Sequence, residues 1–508
     1  MTYDYVIVGA GSAGCVLASR LTEDPSRRVL LLEAGPRDTA FWIHVPLGYG
    51  KLFTRRDVNW AYESEPEPSL NGRRIFTPRG KVLGGSSSIN GLVYIRGQRE
   101  DFDGWGIRGW DFEALRPYFE KAEQETRVSR LEPHELCEAF IESAAALGIP
   151  RNAEGFSSAS QEGAGYYLAN THRGRRRSAA VAYLRPAQKR PNLRVEVNAL
   201  ATRILFDGSR AMGVEYLQNN RRLKASAAAE VLLCGGAFNS PQLLELSGVG
   251  NGESLQRSQI KVVHDLPAVG EGLQDHFYVR TAWRCAKPLT LNDAMASWRG
   301  KAGLGLKYLL FRKGMLTVAG GYAAVFTRTR AELRRPDVQI YFINFSSAQR
   351  GGLLHPHSGF TASVSQCQVE SRGSVHIRSA DPQTPPSIRY NYLATENDRR
   401  VMVEGLKLVR RIVGTPPLSG YVADEYFPGP RVRSDEDWLA LCREAGETVF
   451  HPTSTCALGS VVDENLRVKG LHHLRVVDAS VMPAVPSGNI NASVLAVAEK
   501  AADLLQSS

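Results

Sequence analysis

The first twenty residues constrain the fold more than any other stretch. Tyr5-Val6-Ile7-Val8 is an apolar, β-branched run that reads as a buried parallel strand. It breaks at Gly9-Ala10-Gly11-Ser12-Ala13-Gly14 and continues as Cys15-Val16-Leu17-Ala18-Ser19-Arg20-Leu21, with apolar residues at helical spacing. In such a turn Gly9 permits the sharp reversal, Gly11 lets the backbone approach a pyrophosphate, and Gly14 lets helix and strand pack closely. Ser12 and Ala13 then open the helix, whose free N–H groups and positive dipole end receive the phosphates. A second strand, Val29-Leu30-Leu31-Leu32, ends at Glu33-Ala34, with Glu33 nineteen residues past Gly14. That is the place for a carboxylate accepting hydrogen bonds from a ribose hydroxyl pair. Glycine-rich turns are common, so GxGxxG alone is weak; with strand, helix and carboxylate around it, a dinucleotide site is expected. These residues do not separate NAD from FAD.

At 508 residues the chain is too long for one simple core, and two domains are expected. Features of the nucleotide domain occur at both ends and in the middle, so the two must be interleaved. Residues 190–276 alternate strand-like runs (Leu193-Arg194-Val195-Glu196-Val197, Ala201-Thr202-Arg203-Ile204-Leu205-Phe206) with turns. They lead into the buried strand Glu230-Val231-Leu232-Leu233 and a helix beginning at Pro241. Residues 277–460 have another texture, strands between Gly/Pro turns with a helix over 398–413, which reads as an antiparallel sheet flanked by helices. The last forty return to the first texture, Leu474-Arg475-Val476-Val477-Asp478 and then a helix over 492–505. The expected fold is α/β plus α+β. A Rossmann-like nucleotide domain comprises 1–40, 70–120, 190–276 and 461–508, and a substrate-binding cap takes 41–69, 121–189 and 277–460.

Composition narrows the function classes. Seven dispersed cysteines, with no CxxC pair and no His/Cys cluster, argue for reduced thiols and against a disulfide framework or a metal site. The net charge of +10 is spread, and its densest run, Arg173-Gly174-Arg175-Arg176-Arg177, comes with no nucleic-acid-binding motif. No nucleic-acid partner is expected; loose attraction to an anionic membrane surface stays open. No apolar run is long enough to span a bilayer, and no basic leader precedes the first strand, so the expected location is cytoplasmic, with a peripheral membrane position as the variant.

Several further stretches carry a family resemblance. Residues 78–101, PRGKVLGGSSSINGLVYIRGQRED, and 235–249, GGAFNSPQLLELSGV, resemble the two signatures of the glucose-methanol-choline (GMC) oxidoreductases, FAD enzymes that oxidise alcohols. So do Val269-Gly270-Glu271-Gly272-Leu273-Gln274-Asp275-His276, His451-Pro452-Thr453-Ser454-Thr455-Cys456 and Asn489-Ile490-Asn491-Ala492. The resemblance runs nearly end to end and is strongest to bacterial alcohol and choline dehydrogenases. It implies FAD as cofactor, with Arg79, Gly84, Gly85, Ser86, Asn90, Gly91, Leu92 and Val93 around the flavin and pyrophosphate. It also implies Ala201 at the adenine, and Asp478, Ala479, Ile490 and Asn491 at the pyrophosphate and flavin. Ile89 stands where some members carry a flavin-linking histidine, which implies noncovalent FAD.

The resemblance makes His451 the active-site base and Asn489 its partner. Alcohol oxidation needs a base titrating near neutrality for the hydroxyl proton, and a flavin to take the hydride at N5. The implied partners are a small-molecule alcohol and, as electron acceptor, a quinone or oxygen. A hydroxynitrile-lyase-like reaction and fatty-acid photodecarboxylation are the alternatives on the same fold. The chain departs from the family pattern at Ser454, usually glycine, at Ala457-Leu458, and at Asn491-Ala492-Ser493-Val494. It also lacks part of a segment between 120 and 139, which implies an altered substrate entrance.

Overall fold

The computed structural model describes residues 2–157, 160–318 and 320–506. Four parallel pairings build one sheet, in the order Leu193–Glu196, Val29–Leu32, Thr2–Val8, Arg221–Leu233, Leu474–Val476. At its centre, Val29–Leu32 and the last residues of the two neighbouring strands on the other side, Val6-Ile7-Val8 and Val231-Leu232-Leu233, are wholly apolar and buried because both faces are covered. The long strand Arg221–Leu233 also pairs through its first half, antiparallel, with Arg210–Gln218, which in turn pairs with Ala199–Asp207. Register places Leu32, Val8, Leu233 and Val476 side by side. The Gly9 turn, Glu33, Cys234 and Asp478 therefore leave the sheet at one edge, the carboxyl-end crevice where nucleotides bind in such sheets.

Two helices point their N-termini into that crevice. The Ser12 hydroxyl donates to Asn491 Oδ1 (2.8 Å), and eight residues further along each helix Arg20 donates from Nε and Nη2 to both oxygens of the buried Glu499 (2.9 Å each). Equal offsets mean that Ser12–Leu21 and Asn491–Gln506 run parallel, so their positive dipole ends meet at one place.

A second sheet is antiparallel, in the order Val422–Phe427, Phe277–Cys285, Gly359–Gln366, Val338–Ile343, Ala323–Thr327, Gly163–Tyr166. Its two faces follow the period of two along each strand. Val338, Ile340 and Phe342 point into a core backed by the helices Glu135–Ala146 and Glu396–Val413, with Phe140 stacked on Phe342 at 4.6 Å. Gln339, Tyr341 and Ile343 point the other way, toward the first sheet's crevice.

The helix expected to begin at Pro241 starts five residues earlier, as Gly236–Leu246, with the proline inside it. An internal proline leaves the carbonyl four residues back without its N–H partner. Here that carbonyl is Ala237, and the Thr455 hydroxyl donates to it (2.7 Å), which lets the helix run through. All seven cysteines are buried free thiols.

Candidate active site

One continuous cavity of about 890 Å³ runs from the first sheet's crevice to the face of the second sheet. At its crevice end lie Gly9, Gly11, Ser12, Ala13, Glu33, Ala34 and Ala201. Arg79, Gly85, Ser86, Asn90, Gly91, Leu92, Val93, Asp478, Ala479, Ile490 and Asn491 line its middle, and His451 and Asn489 face it from the second-sheet side. Gly14 and Gly84 do not reach the cavity. A Cβ on Gly14 would stand 1.9 Å from the Gly9 carbonyl oxygen, and one on Gly84 2.2 Å from Ser88 Oγ, so both shape the wall from behind. No residue between 112 and 157 lines the cavity, so the shortened 120–139 segment does not form its entrance. Of the stretch 342–346 only Ile343 and Phe345 line it.

The nucleotide end is held by backbone. Gly9 has φ +99°, a region that favours glycine, and a side chain there would meet the Cys234 carbonyl oxygen at 2.5 Å. Glu33 accepts the Ala10 N–H on one oxygen (2.9 Å) and the Gly35 N–H on the other (2.8 Å), tying the turn to the second strand. Burial raises its pKa to about 7 despite these bonds. Asp478 closes the opposite wall, accepting from Ser480 on Oδ1 and from the Gly236 N–H and Ser240 hydroxyl on Oδ2. Leu92 (φ +67°) and Phe450 (φ +72°) line the cavity in left-handed conformations, strain of the kind that collects at functional sites. Ser454 also has a left-handed backbone (φ +77°), which explains why glycine suits that position.

The far end is a chain of hydrogen bonds whose proton positions follow from its terminus. His276 Nε2 lies 3.1 Å from the Cys367 carbonyl oxygen, which only accepts, so Nε2 carries a proton. Burial lowers the His276 pKa to about 4, so the ring is neutral and its Nδ1 is an acceptor. His451 Nδ1, 3.0 Å away, must then donate, which leaves His451 Nε2 with a lone pair. That lone pair accepts from Asn489 Nδ2 (3.1 Å). Asn489 is oriented in turn by Gln339, whose Nε2 donates to its Oδ1 (3.4 Å) and to the Tyr167 hydroxyl (2.8 Å). The His451 backbone N–H donates to Asp275 Oδ1 (2.6 Å), and the Tyr392 and Thr448 hydroxyls donate to Oδ2. Arg79 donates to the carbonyl of Phe450, the residue before the histidine (2.9 Å).

Sequence reasoning placed His451 and Asn489 and gave no role to Asp275, His276 or Gln339. The first two lie in a stretch already marked by resemblance. Gln339 was legible only as the polar residue of the otherwise apolar run Val338-Gln339-Ile340-Tyr341-Phe342-Ile343.

Burial, then the His276 ring, Arg79 and Arg350, hold the His451 pKa well below its ordinary value. The ring is therefore unprotonated throughout the neutral range and does not titrate near neutrality, where the chemistry of a base leads one to expect it, because burial penalises its charged form. Any reaction using it as a base should be independent of pH there and should fall only on the acid side. A rate that climbs with pH through the ordinary histidine range would contradict this. For stability, depressed histidine pKa values mean that the unfolded chain binds more protons as pH falls below 6.5. The His276 contribution is thus lost between pH 6.5 and about 4, and a His276→Gln variant should lose less stability over that window than wild type in denaturant titrations.

Comparison with known proteins agrees with this geometry. The GMC oxidoreductase models match residues 3–278 with the N-terminal part and 369–498 with the C-terminal part. The chain belongs to the GMC oxidoreductases. The mitochondrial choline dehydrogenase of Mus musculus is 42% identical over 99% of this chain and 89% of that protein. The alcohol dehydrogenase [acceptor] of Pseudomonas putida is 40% identical over 99% of this chain and 95% of that protein. Among solved structures, the pyridoxine 4-oxidase of Mesorbium loti superposes with TM-score 0.88 at 29% identity, covering 100% of this chain and 99% of that one. A formate oxidase of Aspergillus oryzae RIB40 gives TM-score 0.92 at 25% identity, covering 100% and 98%.

This GMC oxidoreductase is an FAD enzyme. Its cavity fits FAD by its own features: a turn with Gly9 at φ +99°, two parallel helix N-termini of the kind that receive a diphosphate, and the buried Glu33 carboxylate at the end of the second strand. No cluster of three metal-ligating side chains occurs among the described residues, and no helix there is long and apolar enough to cross a membrane.

Proposed function

We propose that the protein oxidises an alcohol to an aldehyde or ketone, with His451 as general base and Asn489 as its partner. The observation carrying this reading is the unprotonated His451 Nε2, fixed beside the Asn489 N–H by a proton chain that ends on the Cys367 carbonyl. A substrate hydroxyl set at these two atoms meets an acceptor for its proton and a donor for its oxygen. FAD, when bound, would supply the electron sink for the hydride that leaves the carbinol carbon. His451 takes the hydroxyl proton, the Asn489 amide stabilises the oxygen as charge develops, and the C=O bond forms as the C–H bond breaks. Ile89, buried on the cavity wall, offers no nucleophile to a flavin, which supports noncovalent FAD.

The test is anaerobic mixing of the holoenzyme with a panel of alcohols, watching the yellow flavin absorbance. Bleaching is expected. A flavin left oxidised by the whole panel would sink alcohol oxidation and favour the lyase or photodecarboxylase alternatives.

The acceptor reading is a membrane quinone, reached from the bilayer surface. It is supported by the helix Trp298–Phe311, where Trp298 (74%), Leu310 (64%) and Phe311 (67%) are exposed together with Leu306 and Leu309. The Tyr308 hydroxyl of this helix reaches the His44 carbonyl, which sets it beside the exposed Phe41 and Trp42. The basic 173–177 loop packs at its C-terminal end, since a Cβ on Gly174 would touch the Arg312 carbonyl. Apolar exposure framed by cations suits an anionic interface. The protein should sediment with phosphatidylglycerol vesicles, and the Leu309→Asp/Phe311→Asp variant should not. Wild type remaining in the supernatant would defeat this reading.

A further inference from the structure

The wall around the proposed base has an uneven charge. Toward the second sheet the cavity is apolar, with Tyr49, Phe53, Tyr341, Ile343, Phe345 and Phe450. Its ionic side chains there are all cations. Among the described residues the only carboxylates lining the cavity are Glu33 and Asp478, Glu33 engaged by two backbone N–H groups and Asp478 by backbone and serine donors.

The strand Phe277–Cys285 puts Tyr278 and Arg280 on one face, two residues apart. The Arg350 guanidinium lies 4.3 Å from the Tyr278 ring centroid and 4.6 Å from that of Phe450, the neighbour of the proposed base. Its Nη1 donates to the Thr448 carbonyl (3.0 Å), and its nearest carboxylate, Glu447 at 3.7 Å, does not line the cavity. Arg280 donates to the Ala348 carbonyl (3.0 Å) and, like Lys301 on the same wall, has no carboxylate partner among the described residues. Recognition of a quaternary ammonium calls for a carboxylate or an aromatic cage free of competing cations. Here the aromatic faces of Tyr278 and Phe450 already carry Arg350.

Resting on the alcohol-oxidation reading, we propose that the substrate is a primary alcohol with an anionic group at the far end of an apolar chain, its anion held by Arg280 and Arg350, and that the site rejects choline. Two cations in a partly dry wall attract an anion and repel an ammonium, so charge alone separates substrates of equal shape.

The experiment compares anaerobic flavin reduction of the holoenzyme by matched pairs: 6-hydroxyhexanoate against 1-hexanol, and choline against its uncharged isostere 3,3-dimethyl-1-butanol. The acid should be favoured by about tenfold in second-order reduction rate, with a preference that shrinks as salt rises, and choline should fall below its isostere by a similar factor. Arg280→Gln should remove most of the preference for the acid, slowing reduction by 6-hydroxyhexanoate about tenfold more than reduction by 1-hexanol. If 1-hexanol reduces the flavin but the acid does no better, or choline matches its isostere, the inference falls and alcohol oxidation stands. If Arg280→Gln slows both linear alcohols equally, Arg280 shapes the wall without reading charge, and the inference falls as well. If no alcohol reduces the flavin, the reading beneath it falls.

Discussion

His451→Ala should slow flavin reduction by about 10²–10⁴, the range a general base contributes, while FAD stays bound. The two halves of this expectation rest on different parts of the molecule. His451 sits at the second-sheet end of the cavity, and its removal leaves the Gly9 turn, Glu33 and the paired helix N-termini untouched. Alanine also strands the Asn489 N–H, which loses the acceptor it holds at 3.1 Å and can no longer pair with the base across a substrate oxygen. Stopped-flow mixing with a reducing alcohol gives the rate, and the flavin spectrum before mixing gives the occupancy. An unchanged rate would remove His451 from the mechanism. A His276→Ala variant sharpens the comparison, because it deletes the acceptor that fixes the His451 tautomer but leaves the base present. It should slow reduction less than His451→Ala and shift its pH profile, since His276 and burial together depress the base.

How much of this was legible depended on whether the signal was local. The strand-turn-helix unit is written in contiguous residues, so apolar period and glycine placement place the observed Thr2–Val8, Ser12–Leu21 and Val29–Leu32 within a few residues. The antiparallel sheet came from texture alone; its order, with Gly163–Tyr166 at one edge, depends on pairings between segments far apart in sequence. The helix at Gly236 was misplaced because a proline reads locally as a start, and the Thr455 hydroxyl that excuses it lies 218 residues away. The site divides in the same way. His451 and Asn489 stood out through motif resemblance. The Asp275, His276 and Gln339 contacts that orient them are tertiary and had no period or spacing to betray them.

The turn that opens the chain offers the sharpest separation between shape and binding. Gly14→Ala should damage the protein even without cofactor. Its Cβ would lie 1.9 Å from the Gly9 carbonyl oxygen, a backbone atom in a turn already pinned between Cys234 and Glu33. The clashing atom is backbone rather than the far end of a flexible side chain, so the cost belongs at the upper end of overpacking, about 3 kcal/mol or more, read as a lower denaturant midpoint of apoprotein. Gly11→Ala should behave differently. Gly11 has φ −74°, which alanine accepts, and the nearest atom to its Cβ would be the Cys234 oxygen at 3.8 Å, an ordinary contact. The apoprotein should therefore keep its midpoint, while the added methyl stands on the cavity wall between the two helix N-termini and displaces the diphosphate from their N–H groups. Losing such contacts at about 1.4 kcal/mol per decade predicts FAD binding weaker by at least tenfold. Apoprotein titrated with FAD by flavin fluorescence, beside denaturant curves without it, distinguishes the two. Equal midpoints for both variants, or full FAD affinity in Gly11→Ala, would mean that the turn does not seat the diphosphate as its glycines indicate.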